Sequence, residues 1–134
     1  MKYIKEYKLF KSETLSESNN ITIVSTKEYV NVYYKENFSL GVCEISNINN
    51  CEWYINRVNI PDVLGKGKGV GSKILQIAIK EIIKKYDPKS IYVTPGGYGA
   101  DSKKQFNFYK KNGFIEIPNE KEVLYYGDLA IPSR

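Results

Sequence analysis

Four glycines at alternate positions, Gly65, Gly67, Gly69 and Gly71, run directly into Ile74-Leu75-Gln76-Ile77-Ala78-Ile79. That order constrains the chain more than any other stretch, because a glycine turn that opens an apolar helix gathers backbone N–H groups at one point. Glycine tolerates positive φ and carries no Cβ, so successive amides can converge with no side chain in the way. The first N–H groups of the helix lack internal partners and sit at the positive end of its dipole. A phosphate or pyrophosphate is the natural occupant.

Spacing narrows the ligand. The pattern G-x-x-x-x-G-K-[ST] fails, because Val70 stands five residues after Gly65 and Ser72 five after Gly67. The dinucleotide pattern G-x-G-x-x-G fails at Val70, Ser72 and Ile74 from the three possible starts. Both common nucleotide loops are excluded.

The surrounding pattern supplies a strand on each side of that helix. Residues 2–10 alternate as a strand would and residues 12–20 read as a polar loop. Ile21–Val24, Tyr29–Tyr34 and Phe38–Ile45 read as successive antiparallel strands, with turn formers over Ser46–Asn50 closing a hairpin near Asn47. Cys51–Ile60 alternates as a long strand and delivers the chain to the glycines. Ile74, Leu75, Ala78, Ile79 and Ile82 form one apolar stripe, opposite Lys73, Lys80 and Lys84, and Pro88 ends the helix. A short strand over residues 90–94 and an open loop over 95–100 follow. A second helix, capped by Asp101 or Ser102, runs through Tyr109 to a stop at Asn112-Gly113. Residues 114–117 and 123–126 read as closing strands. A strand–helix–strand crossover implies one parallel pair.

Composition removes whole classes of chemistry. With 134 residues the chain has room for one core, and residues 1–134 read as a single domain. No histidine is present, which rules out His-dependent triads and histidine-bearing zinc sites, and no metal is expected. The two cysteines, Cys43 and Cys51, could face each other across a hairpin centred near Asn47, although reduced thiols suit a cytoplasmic chain better. The amino terminus has no long apolar run, so the expectation is a cytoplasmic protein with no membrane partner. A net charge of +5 would suit an anionic ligand or nucleic acid, but a lysine-rich solvated surface accounts for it equally well.

Lys66-Gly67-Lys68-Gly69-Val70-Gly71 resembles the Q/R-x-x-G-x-G/A coenzyme A loop of the GNAT superfamily of N-acetyltransferases, with Lys66 at the Q/R position. Phe106-Asn107-Phe108-Tyr109-Lys110-Lys111-Asn112-Gly113-Phe114 is similar to the same family's A-x-x-F-Y-x-K-x-G-F, with Gln105 where alanine is usual. The two motifs and the strand between them cover roughly residues 52–117. Residues 1–50 match only in being β-rich. The resemblance implies an α/β fold of α+β type: a mixed, twisted, mostly antiparallel sheet with a splayed parallel pair and flanking helices.

The resemblance also implies roles. Val58, Asn59 and Ile60 would bond the pantetheine arm of acetyl-CoA through their backbones. Lys66, Gly67, Lys68, Gly69, Val70, Gly71 and Ser72 would hold its pyrophosphate, with Ser102 helping at the second helix. Tyr109 would contact the cosubstrate and give the departing thiolate its proton. Where relatives carry a glutamate base this chain has Asn56, which accepts no proton, so Glu52, Glu44 or a water held by Asn56 would substitute. The acceptor it implies would be a primary amine on a small molecule or peptide, attacking directly in a ternary complex. Nucleic acid is not expected as a partner, and the strands near 114–126 could pair between subunits of a homodimer. Two alternatives stay open: a GNAT-shaped coenzyme A-binding or interaction module without catalysis, and a basic nucleic-acid-binding domain.

Overall fold

The computed structural model describes residues 20–36, 38–61, 64, 69–95 and 102–129. The strand expected over 2–10, most of the loop over 12–20, and Lys66, Gly67 and Lys68 lie outside them. The described elements run β1 (Ile21–Ser25), β2 (Tyr29–Glu36), β3 (Ser39–Asn49), β4 (Glu52–Asn59), α1 (Val70–Tyr86), β5 (Ser90–Val93), α2 (Ser102–Lys111), β6 (Phe114–Ile117) and β7 (Glu120–Tyr126).

One seven-stranded sheet joins them in the order β1-β2-β3-β4-β5-β7-β6. Every pairing is antiparallel except β4 with β5. Because β5 and β6 both lie antiparallel to β7, they run parallel to each other. The crossovers β4-α1-β5 and β5-α2-β6 therefore step in the same direction, and their shared right-handed sense puts both helices on one face of the sheet. The contacts agree, since Gln76 of α1 donates to the Asn112 carbonyl just after α2 at 3.0 Å.

The core lies between that face and α1. Val30 and Val32 of β2, Cys43 and Ile45 of β3, and Trp53 and Ile55 of β4 alternate inward, and all are at most 1% exposed. The stripe Ile74, Leu75, Ala78, Ile79 and Ile82 meets them and is wholly buried, so the helical period in the sequence translates directly into packing. Trp53 stacks on Tyr86 at 5.4 Å, and the Tyr86 hydroxyl lies 2.8 Å from Ser25 Oγ, which ties the end of α1 to β1. Glu81 breaks the pattern. It is a 5% exposed carboxylate on α1, 3.4 Å from Lys85 Nζ.

Two sequence readings need correction. Of the turn formers over 46–50 only Asn50 lies in the turn, because β3 continues to Asn49 and the chain reverses at Asn50-Cys51, both at positive φ (47° and 72°). Asn47 stays in the strand, where its Nδ2 donates to Lys27 O and its Oδ1 accepts from Cys51 N. The shifted hairpin centre puts Val58, not Cys51, opposite Cys43, and both cysteines are free thiols.

Candidate functional site

The parallel pair is short, and the site lies where it ends. Its register is Glu52↔Ser90, Trp53↔Ile91 and Tyr54↔Tyr92, after which β4 runs on to Asn59 without a β5 partner among the described residues. The cause is on the other edge of β4. Ile45 pairs with Ile55 and Glu44 with Arg57, so Asn56 is an extra residue with no counterpart on β3. Such a bulge bends its strand and sharpens the local twist. It also shifts the alternation by one: Trp53 and Ile55 point into the core before it, Val58 and Ile60 after it. The three residues expected to meet the pantetheine arm, Val58, Asn59 and Ile60, are on this diverging stretch.

The first turn of α1 approaches the same stretch. Gly69 is the N-cap in a left-handed conformation (φ 85°), and no side chain caps the helix. The first helical hydrogen bond runs from Lys73 N to Gly69 O at 2.9 Å, so the N–H groups of Val70, Gly71 and Ser72 have no intrahelical acceptor. No acidic residue occupies that turn. The two described glycines do different work. A Cβ on Gly69 would meet nothing within 4 Å, which leaves open space above a backbone that needs positive φ. A Cβ on Gly71 would sit 3.3 Å from Phe108 and 3.4 Å from Ile60, so this glycine lets α1 approach α2 and the end of β4.

Tyr109 closes the arrangement from α2. It is 5% exposed, packed edge-on against Phe108 and Phe114 at 5.1 and 5.5 Å. Burial pushes its phenol well above the usual tyrosine range, with further contributions from Cys43 and Tyr54. Cys43 pairs with Val58, and Tyr54 is the last residue of the parallel pair, so these neighbours set the phenol at the point where β4 and β5 part. Among the described residues no side chain shares a hydrogen bond with its hydroxyl. Ser102 opens α2, and its side chain lies outside the described residues.

The candidate bases are not gathered with the phenol. Asn56 points to the sheet face away from the helices, donating to Ser46 Oγ at 2.6 Å, in an open depression of about 310 Å³ lined also by Glu28, Tyr29, Asn31 and Glu44. Glu44 is tied to Arg57 Nε at 2.9 Å. Glu52 opens β4 four residues before Asn56, roughly 13 Å away along a strand. A larger depression of about 510 Å³, between Thr22, Tyr33, Lys35, Phe38 and Leu40, contains none of the expected site residues. Sequence reasoning missed Asn112. Its type was read as a helix stop, and nothing in the chain's pattern announces that its side chain reaches Ser72 of the other helix.

Comparison with solved structures identifies the architecture. An IAA acetyltransferase from Bacillus cereus ATCC 14579 superposes with a TM-score of 0.55 at 26% identity, over 68% of this chain and 58% of that one. A Klebsiella pneumoniae subsp. pneumoniae MGH 78578 protein assigned as an acyl-CoA N-acyltransferase gives 0.56 at 13%, over 85% and 81%. This is the GNAT fold. The same fold is shared with the anti-CRISPR protein AcrVA5, at a TM-score of 0.54 and 17% identity over 74% of this chain and 98% of that one. The match to the Bacillus cereus enzyme spans a little over half of that protein's length. No protein-family model matches the sequence, and no curated protein matches it. The mixed sheet, with one parallel pair and two helices among the described residues, therefore has the GNAT arrangement. Among the described residues no three His, Cys, Asp or Glu side chains stand together as metal ligands, and no helix is long and apolar enough to cross a membrane.

Proposed function

We propose that the protein is an N-acetyltransferase that moves an acetyl group from acetyl-CoA to a primary amine by direct attack in a ternary complex. One observation carries the reading: an uncapped helix start and a buried phenol converge on the same diverging stretch of β4. The open β4 edge offers backbone groups to an amide-bearing arm as a neighbouring strand would. The free N–H groups of Val70, Gly71 and Ser72 suit a pyrophosphate, and the open space above Gly69 leaves room for it.

In this reading the neutral amine attacks the thioester carbonyl, and a backbone N–H of the Val58–Ile60 stretch holds the oxyanion that forms. The C–S bond then breaks as Tyr109 gives its proton to the sulfur, the nitrogen loses its extra proton to solvent, and a solvent proton restores the phenol. A phenol raised above its usual range stays protonated throughout the working pH range, so it is always a donor. Asn56 accepts no proton, Glu44 is held by Arg57 and Glu52 stands at the far end of β4, so in this reading the acceptor reaches the site already neutral. Those same two residues favour the second reading, a coenzyme A-binding module that does not turn over.

Incubation with acetyl-CoA and a panel of amines, followed by thiol release, separates the two. Amine-dependent release is the expected result. Tight coenzyme A binding with no release under any acceptor would leave the binding module standing.

A further inference from the structure

Asn112 is 9% exposed and joins the two helices through its side chain. Its Nδ2 donates to the Phe108 carbonyl at 2.9 Å and to Ser72 Oγ at 3.0 Å. Gln76 Nε2 donates to the Asn112 carbonyl at 3.0 Å and to its Oδ1 at 3.3 Å. The direction of each bond is determined by chemistry. A backbone carbonyl only accepts, so Phe108 O requires the amide nitrogen of Asn112, and Asn112 O requires the amide nitrogen of Gln76. An amide NH₂ only donates, so Ser72 Oγ is an acceptor in this contact. Its own O–H proton is left to point elsewhere.

Ser72 is the third residue of α1, beside the N–H groups that have no intrahelical acceptor. We infer that Asn112 is a positioning residue that holds the Ser72 hydroxyl as a donor, adding an O–H to the backbone N–H groups that grip the diphosphate of the acyl donor. The same side chain takes up the Phe108 carbonyl, one of the last-turn groups of α2 that the helix itself leaves unpaired. The start of α1 is thereby locked against the end of α2, one residue from Tyr109. This inference rests on the acetyl-CoA reading above and adds to it a second helix that determines how the anion is held.

The test compares Ser72→Ala, Asn112→Ala and the double variant, using coenzyme A binding by calorimetry and transfer from two donors, acetyl-CoA and the phosphate-free S-acetyl-N-acetylcysteamine. Ser72→Ala leaves the packing nearly untouched, so the test does not depend on Asn112→Ala folding well. Loss of one hydrogen bond to a charged group should weaken coenzyme A binding and raise the KM for acetyl-CoA about tenfold, with kcat changed far less. The double variant should be no worse than the worse single, because Asn112 acts only through the Ser72 hydroxyl. With the phosphate-free donor the effect should shrink to within about twofold. Unchanged coenzyme A affinity in Ser72→Ala, additive losses, or equal losses with both donors would overturn the inference while leaving the acetyltransferase reading intact. A parent protein that binds no coenzyme A and uses neither donor would sink both.

Discussion

Tyr109 and Cys43 are a phenol and a thiol held in the same apolar core, and both are raised above their ordinary ranges, chiefly by burial. The folded state then keeps protons that the unfolded chain releases. Stability from these groups is fully present below the unfolded thiol range, near pH 8.5, and is lost as pH rises beyond it. Denaturant midpoints should be flat between about pH 6 and 8 and fall above about pH 9, and Cys43→Ala should flatten part of that fall. The phenol has a second, kinetic signature. Tyr109→Phe should lower kcat about 10²- to 10⁴-fold while coenzyme A affinity changes little, measured by thiol release and calorimetry. A Phe variant with full activity would make Tyr109 a packing residue. With Asn56 in place of a carboxylate and Glu44 bound to Arg57, kcat/KM should climb tenfold per pH unit up to the acceptor's own pKa. A plateau well below that value would point to a protein base.

At the scale of elements, the start of α1 and the bulge in β4 depend on each other. The sequence reads Gly71 as part of a phosphate loop; in the fold its missing Cβ makes room for Phe108 and Ile60, whereas Gly69 supplies the left-handed turn. Gly69→Ala should cost about 1 kcal/mol from its backbone conformation and weaken coenzyme A binding. Gly71→Ala must push Phe108 aside, so it should shift Tyr109 and lower kcat as well. Thermal melts and steady-state kinetics on the pair read the difference, and identical behaviour would mean that the two glycines share one role. The bulge was illegible for a plain reason. Asn56 breaks no propensity rule, and an extra residue becomes visible only when the partner strand is present to count against.

For the whole molecule, both described helices lie on one face, and the proposed site is where they meet the diverging strands. A ligand that bridges α1 and β4 binds only the folded chain, so it should stabilise the entire domain. Coenzyme A at about 100 times its Kd should add about 2.7 kcal/mol, read as a rise in melting temperature that pantetheine without phosphates produces only weakly. An equal rise with both would move the anion grip away from α1. The opposite sheet face carries Glu28, Glu44 and Asn56 in one open depression, away from both helices.

The helical stripe from Ile74 to Ile82, the glycines before it and the Phe108-Tyr109 pair were all readable from the chain, because each is a local pattern whose period or spacing acts over a few residues. Three features belong to tertiary structure alone. The reversal at Asn50-Cys51, displaced from the centre expected near Asn47, was decided by Asn47 bonding to Lys27 and Cys51 inside the sheet. The bulge at Asn56 was decided by the register of β3 against β4. The Asn112 bridge was decided by two helices meeting on one face, which brings together Ser72 and Asn112, 40 residues apart in sequence. Local patterns specify which elements form, but strand register and helix contacts depend on partners distant in sequence, and those choices placed the residues of the proposed site.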